Sequence, residues 1–183
     1  MQATEILIAE HTVISRVLDA LEEAVRSPEA AGPGFFSAAA DFASGFADGC
    51  HHRKEENVLF KALTRHGMPA QGGPVGVMLF EHEQGRQLIR TLRRSAALWQ
   101  NGESSGRDAA VQAAAQYISL LRQHISKENN ILFPMADRFI PLDEQPQVAE
   151  DFEHVEHEET GEGIHEKYLA LAQALEQQAR VLA

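Results

Sequence analysis

Apolar positions along this chain recur every three or four residues, and no run alternates between apolar and polar. Leu7, His11, Ile14, Leu18, Leu21 and Val25 fall on one helical stripe. Val75, Met78, Leu79, His82, Ile89, Leu92 and Ala96 form a second. Ala110, Ala113, Ala114, Tyr117, Leu120, Leu121, His124, Glu128 and Ile131 share a third. Stretches rich in Gly, Pro and Ser at 27–34, 67–74, 101–106 and 141–147 divide the chain into five segments. Between them Ala, Leu, Gln, Glu and Arg dominate, all good helix formers. Pro74 suits the first turn of the third helix. Long helices joined by short loops pack as antiparallel neighbours. The expected fold is therefore all-α: an up-down antiparallel four-helix bundle over residues 1–140, with a C-terminal helical extension over 141–183 packed on it.

Two features complicate that picture. Phe35, Phe42, Phe46 and Phe60 lie opposite His51 on the second helix. This second apolar face needs cover from the fifth segment or from a second copy of the chain, as in a homodimer. The fifth segment, about 148–181, is acidic and reads as one long helix. Its Gly161 and Gly163 would allow close approach to the bundle, while Gly45 and Gly49 weaken the second helix.

Composition narrows the function. With 44% hydrophobic residues the chain can bury a core. Its formal net charge of -11 disfavours nucleic acid and anionic membrane surfaces as partners. A single cysteine, Cys50, excludes an internal disulfide and a cysteine-based zinc site. No apolar run approaches the ~20 residues of a spanning helix, and the N-terminus lacks a signal-peptide pattern. The expectation is a soluble, cytoplasmic protein.

The nine histidines change the picture most. Four of them, His11, His51, His82 and His124, sit on apolar stripes, one per helix. Each buried imidazole needs a partner, and a shared metal satisfies all of them together. The pattern also repeats: Glu10-His11 matches Glu81-His82, and His51-x3-Glu55 matches His124-x3-Glu128. A His and a Glu at i and i+4 project side by side from a helix. Four His and two Glu exceed what one tetrahedral ion can use. They suit two six-coordinate ions bridged by both glutamates, with positions left for an outside ligand. Ferritin-type sites need paired Glu-x2-His motifs, and the spacing occurs here at Glu162-x2-His165 alone.

These residues resemble the hemerythrin-like, or HHE cation-binding, family. The resemblance rests on Glu10-His11, on the run from His51 to Glu56 with Leu59-Phe60 following, on Glu81-His82 with Arg86, and on the run from His124 to Glu128 with Ile131 to Pro134 following. It covers roughly residues 5–137, and the acidic tail is similar to the extension of bacterial members. The resemblance implies a four-helix bundle around a non-haem di-iron centre with an oxo, hydroxo or carboxylate bridge. Carried over, His11, His51, Glu55, His82, His124 and Glu128 are iron ligands, with Glu55 and Glu128 bridging. It implies reaction with O2, H2O2 or NO, catalase-like or peroxidase-like if peroxide is turned over. The alternative is an iron or oxygen sensor without turnover.

The sequence departs from the oxygen carriers at one place. They carry His-x3-His on the third helix, whereas the residue four after His82 is Arg86. Arg86 cannot ligate iron and is expected to pair with a bridging glutamate. Candidates for the missing ligand are His52, about 100° round the helix from His51, and His165 and Glu158 in the fifth segment. Glu56 is expected to face away from the metal. Tyr117, two turns before His124, is a candidate hydrogen-bond donor to bound oxygen species.

Overall fold

The computed structural model describes residues 2–182, and it is helical throughout with no strand among them. Helix α1 spans Ala3–Arg26. Helix α2 runs over 28–65, α3 over Pro74–Gln100 and α4 over 104–139. Two shorter helices follow, α5 over 145–160 and α6 over Ile164–Ala179. Helices α1 to α4 form the bundle: α3 packs along α4, α2 along α3, and α1 against α2 and α4. Helix α6 lies on α1 and the first half of α2, and α5 crosses α1 at the other end. Among the described residues no helix is long and apolar enough to cross a membrane.

The loops fall close to the expected places, with one difference. A helical turn already begins at Pro28, and the break comes at Gly32, with φ 70° and ψ 167°. Pro33 explains it, because a residue before proline is driven out of the α region and glycine alone accepts this positive φ readily. The fifth segment also differs from a single helix. It divides at Gly161 (φ 111°) and Gly163 (φ 76°). These glycines make a turn; the close approach to the bundle occurs elsewhere, at Gly45. A Cβ on Gly45 would lie 1.9 Å from the Tyr168 ring. The phenylalanine face is accordingly covered by α6 of the same chain: Phe35, Phe42 and Phe46 share a core with Tyr168, Ala172 and Leu175. Replacing Gly45 by alanine is expected to destabilise the protein by about 1–3 kcal/mol, as overpacking does, read as a lower melting temperature. An unchanged value would mean that Tyr168 leaves its seat at no cost.

Four stretches are wound as π-helix: Ala43–His52, Glu55–Leu59, Glu128–Leu132 and Val155–Thr160. Such turns are wider than α turns and concentrate at functional sites. They alter the helical phase on which the sequence angles rest. Phe60 is the clearest case. It leaves the phenylalanine face and stacks on His82, with ring centroids 5.8 Å apart.

The apolar core is split in two. One cluster holds Ile14, Leu18, Phe42, Phe46, Ile89, Leu92 and Leu121. The other holds Leu7, Val58, Leu59, Met78, Leu132 and Phe133, with Val148 and Phe152 of α5. Between these clusters each of the four bundle helices places at least one buried histidine.

Candidate metal centre

Two groups of ligand-type side chains occupy this layer. His11, His51, Glu55 and Glu128 form one, and His52, Glu55, His82 and His124 the other; in each, one donor atom per residue lies within 4.8 Å of the rest. All seven residues are buried, at 0–3% exposure, out of reach of bulk water. Glu55 belongs to both groups. Its Oε1 is 3.5 Å from His51 Nε2 and its Oε2 is 3.3 Å from His82 Nε2. Glu128 also spans them, with Oε2 3.2 Å from His11 Nε2 and 3.3 Å from His124 Nε2.

The histidines are oriented from behind. His51 donates its Nδ1–H to Glu10 at 2.9 Å, His82 to Glu56 at 2.7 Å, and His124 to Glu81 at 2.9 Å. His11 donates to the Asn129 side-chain oxygen at 2.8 Å. Each supporting carboxylate is then neutralised by a cation on its outer side. Lys54 donates to Glu10 and Arg86 to Glu56, both at 2.5 Å, and Lys127 to Glu81. The result is three parallel chains of imidazole, carboxylate and cation. Two of them come from matching sequence, His51-x2-Lys54-Glu55 and His124-x2-Lys127-Glu128.

This support fixes the tautomers. With Nδ1 carrying the proton, every Nε2 presents a lone pair inward. Those lone pairs face carboxylate oxygens and each other, with His82 Nε2 3.2 Å from His124 Nε2. His11 Nε2, His51 Nε2, both ring nitrogens of His52 and all four carboxylate oxygens of Glu55 and Glu128 lack a hydrogen-bond partner. Buried polar atoms left in this state are costly, and so many converging on one place suit a bound cation.

The electrostatics agree. Burial, helped by the neighbouring imidazoles, holds His51 far below the usual histidine range. Burial also pushes His52 down to about 3 and His82 to about 4, so these rings are neutral. Burial and the nearby Glu128 raise Glu55 well above the ordinary carboxylate value. Burial opposes ionisation of Glu128 too, but the close approach of His11 and the surrounding imidazoles outweighs it and lowers its pKa. Neutral imidazoles with two shared carboxylates form a donor set suited to transition-metal ions.

The remaining candidates divide. His52 stacks on His82 at 3.9 Å between centroids and completes the second group. The wide π turn explains its entry, since rotation per residue is smaller there and successive residues His51 and His52 both reach the interior. His165 lies elsewhere, in a third group with Glu10 and Glu156 that already contains the Lys54 ammonium. Glu158 is exposed and in none of the three groups. Arg86 does not pair with a bridging glutamate. It binds Glu56 and Asp48, because it emerges at the bundle surface, about a third exposed. Glu56 is in neither ligand group, as its orientation suggested, yet it holds His82. Tyr117 is buried with its hydroxyl unpartnered, and burial raises its pKa. The supporting residues Glu10, Glu56, Glu81, Asn129, Lys54 and Lys127 were not legible as such. The Glu-His dipeptides and the doubled His-x2-Lys-Glu were the signal for them.

Comparison with known proteins agrees with this geometry. The family model described as the hemerythrin HHE cation binding domain matches residues 2–136. An uncharacterised protein of Mycobacterium tuberculosis (strain ATCC 25618 / H37Rv) is 27% identical over 167 residues, covering 87% of this chain and 63% of that protein. The iron-sulfur cluster repair protein YtfE of Escherichia coli O81 (strain ED1a) is 36% identical over 93 residues, 47% of this chain and 40% of that one. The chain thus spans less than two thirds of the length of these relatives. No solved structure matches. With ligand-type residues drawn from four helices and a family match over most of its length, the chain belongs to the hemerythrin HHE cation-binding domain family.

Proposed function

We propose that this protein holds two iron ions in its histidine layer and uses them to bind and react with O2, H2O2 or NO. His11 and His51 serve one ion, His52, His82 and His124 the other, and Glu55 and Glu128 are shared. The observation that carries this reading is the convergence of inward ring nitrogens and unpartnered buried carboxylate oxygens on one place. Relatives named for iron-sulfur cluster repair support iron as the cation. Reduced iron would supply electrons to the small oxidant or bind NO.

The chain's own residues prepare that site. Glu10, Glu56 and Glu81 hold three imidazoles in register; burial opposes ionisation of all three, the imidazole and outer cation outweigh it at Glu56 and Glu81, and Lys54 offsets part of it at Glu10. The two apolar clusters exclude water above and below the layer. His52 takes the place left by the residue four after His82. That freed position carries Arg86, which steadies Glu56. Tyr117 stays protonated and offers its hydroxyl as a donor to an oxygen ligand. A sensor or binding module without turnover is the second reading, favoured by the direct link from α5 to the His51 support.

The test is metal analysis of the purified protein, with visible spectra before and after O2, H2O2 or NO is added to the reduced form. About two irons per chain, with a charge-transfer band that responds to the added ligand, is the expected outcome. Zinc or no metal would refute it. His124→Ala is expected to lower metal content well below the parent, and full occupancy in that variant would exclude His124 as a ligand.

A further inference from the structure

The C-terminal segment touches the support of the histidine layer at one buried point. Lys54 is 1% exposed, and its ammonium donates to Glu10 on α1 and to Glu156 on α5, each at 2.5 Å. Glu10 divides its carboxylate between two tasks: Oε1 accepts from Lys54 and Oε2 from His51 Nδ1. Lys127, its counterpart in the other half, is 36% exposed and meets its carboxylate beside water. A solvated pair of that kind contributes little, whereas a buried one is strongly destabilising to break.

Two more contacts seat the segment on the same strip of α2. The Thr160 hydroxyl donates to the Gly49 carbonyl at 3.1 Å. Tyr168 lies in the space left by Gly45. Residues 45, 49 and 54 follow one another along α2 and lead directly to Glu55. A cleft of about 760 Å³, lined by Glu10, Lys54, Glu156 and His165, opens beside the pair. Undocking of α5 would therefore admit water to the outer side of Glu10.

We propose that Glu156 and Lys54 are positioning residues through which docking of the C-terminal segment and retention of the ion at His11, His51, Glu55 and Glu128 strengthen each other. The proposal rests on the metal reading above. Glu156 holds the ammonium on the far side of Glu10, which leaves Glu10 free to orient His51. Without Glu156, water competes for both hydrogen bonds of Glu10 and the His51 ring loses its fixed aim. Loss of such an outer partner typically weakens metal binding 10–100-fold. Linkage is reciprocal, so the bound ion must stabilise the docked segment by the same factor.

The experiment uses the full chain loaded anaerobically with ferrous iron. Iron release to a chromophoric ferrous chelator is timed for the parent, Glu156→Gln and Tyr168→Ala, each checked for helical content. Hydrogen exchange over 155–179 is measured in the parent with and without iron, which needs no variant. The expected results are release of one of the two irons about tenfold faster in Glu156→Gln, and slower exchange over 155–179 when iron is bound. Tyr168→Ala, which loosens the seat away from the ligands, should accelerate release of the same iron. Parent-like release from folded Glu156→Gln, or exchange over 155–179 indifferent to iron, overturns the coupling while leaving the metal reading intact. A parent that retains no iron overturns both.

Discussion

Glu55→Gln is expected to lose both ions and yet to raise the melting temperature of the metal-free protein. Both effects have one origin. Glu55 is the residue common to the two ligand groups, with one oxygen toward His51 and the other toward His82. On the proposed two-ion reading its removal takes a ligand from each ion, and metal content should fall below half that of the parent. In the absence of metal the same carboxylate is a burden. It is 0% exposed, has no hydrogen-bond partner and faces Glu128. Leaving such a group unsatisfied costs about 1–3 kcal/mol or more. A glutamine of the same shape donates its amide hydrogens to inward lone pairs. For a chain of this size, ~2–4 °C per kcal/mol gives a rise of about 2–12 °C.

The pH dependence follows from the direction of the Glu55 shift. Its folded pKa lies above the ordinary value of 4.5, so the folded state holds the proton more tightly than the unfolded one. This group's contribution is therefore most favourable below 4.5 and is lost as pH rises through the folded value. The advantage of Glu55→Gln over the parent should grow from pH 5 to pH 8 in the presence of chelator. His51, His52 and His82 act oppositely, since their lowered values cost stability as pH falls below the ordinary 6.5. They are common to both proteins and cancel in the comparison. A variant that keeps two ions, or whose metal-free form melts no higher than the parent, would refute the shared role of Glu55.

Stripping the metal from the parent should have the largest effect on stability. An ion present at 100 times its dissociation constant stabilises the folded state by about 2.7 kcal/mol, and two ions by about twice that. At ~2–4 °C per kcal/mol the melting temperature should fall by about 10 °C or more. Ferrous iron should restore it. Magnesium should not, because it prefers oxygen ligands and the layer is mostly imidazole. A melting temperature indifferent to complete metal removal would mean that the lone pairs are reconciled by protons. The three forms should rank as metal-loaded parent, then metal-free Glu55→Gln, then metal-free parent.

Much of the architecture was legible because helices leave a periodic trace. The stripes through Leu7, Val75 and Ala110 report which face of each helix is buried, except that Leu79 and Ile131 turn out exposed, and His11, His82 and His124 lie on them as expected. Errors entered where the winding departs from 3.6 residues per turn. Phe60 was placed with Phe42 and Phe46, but the π turns between them rotate it onto His82. The same winding brings His52 inward beside His51. The fifth segment was read as one helix, since composition alone does not reveal that Gly161 and Gly163 take positive φ.

The sequence by itself determined the class of fold, the identity of the donors and their doubling along the chain. Those are local properties: a His and a Glu four residues apart share a face wherever the helix lies. Only the tertiary structure decided which lone pairs meet, which carboxylate steadies which imidazole, and which cation neutralises it. Arg86 could have reached a bridging glutamate, yet it meets Glu56 and Asp48. His165 was a candidate for the missing ligand, yet it meets Glu156, on the far side of Lys54 and Glu10 from the histidine layer. Lys54 and Glu156 are 102 residues apart. Their contact depends on the phase of α2 and the turn before α6, and helical periodicity within one segment carries no record of either.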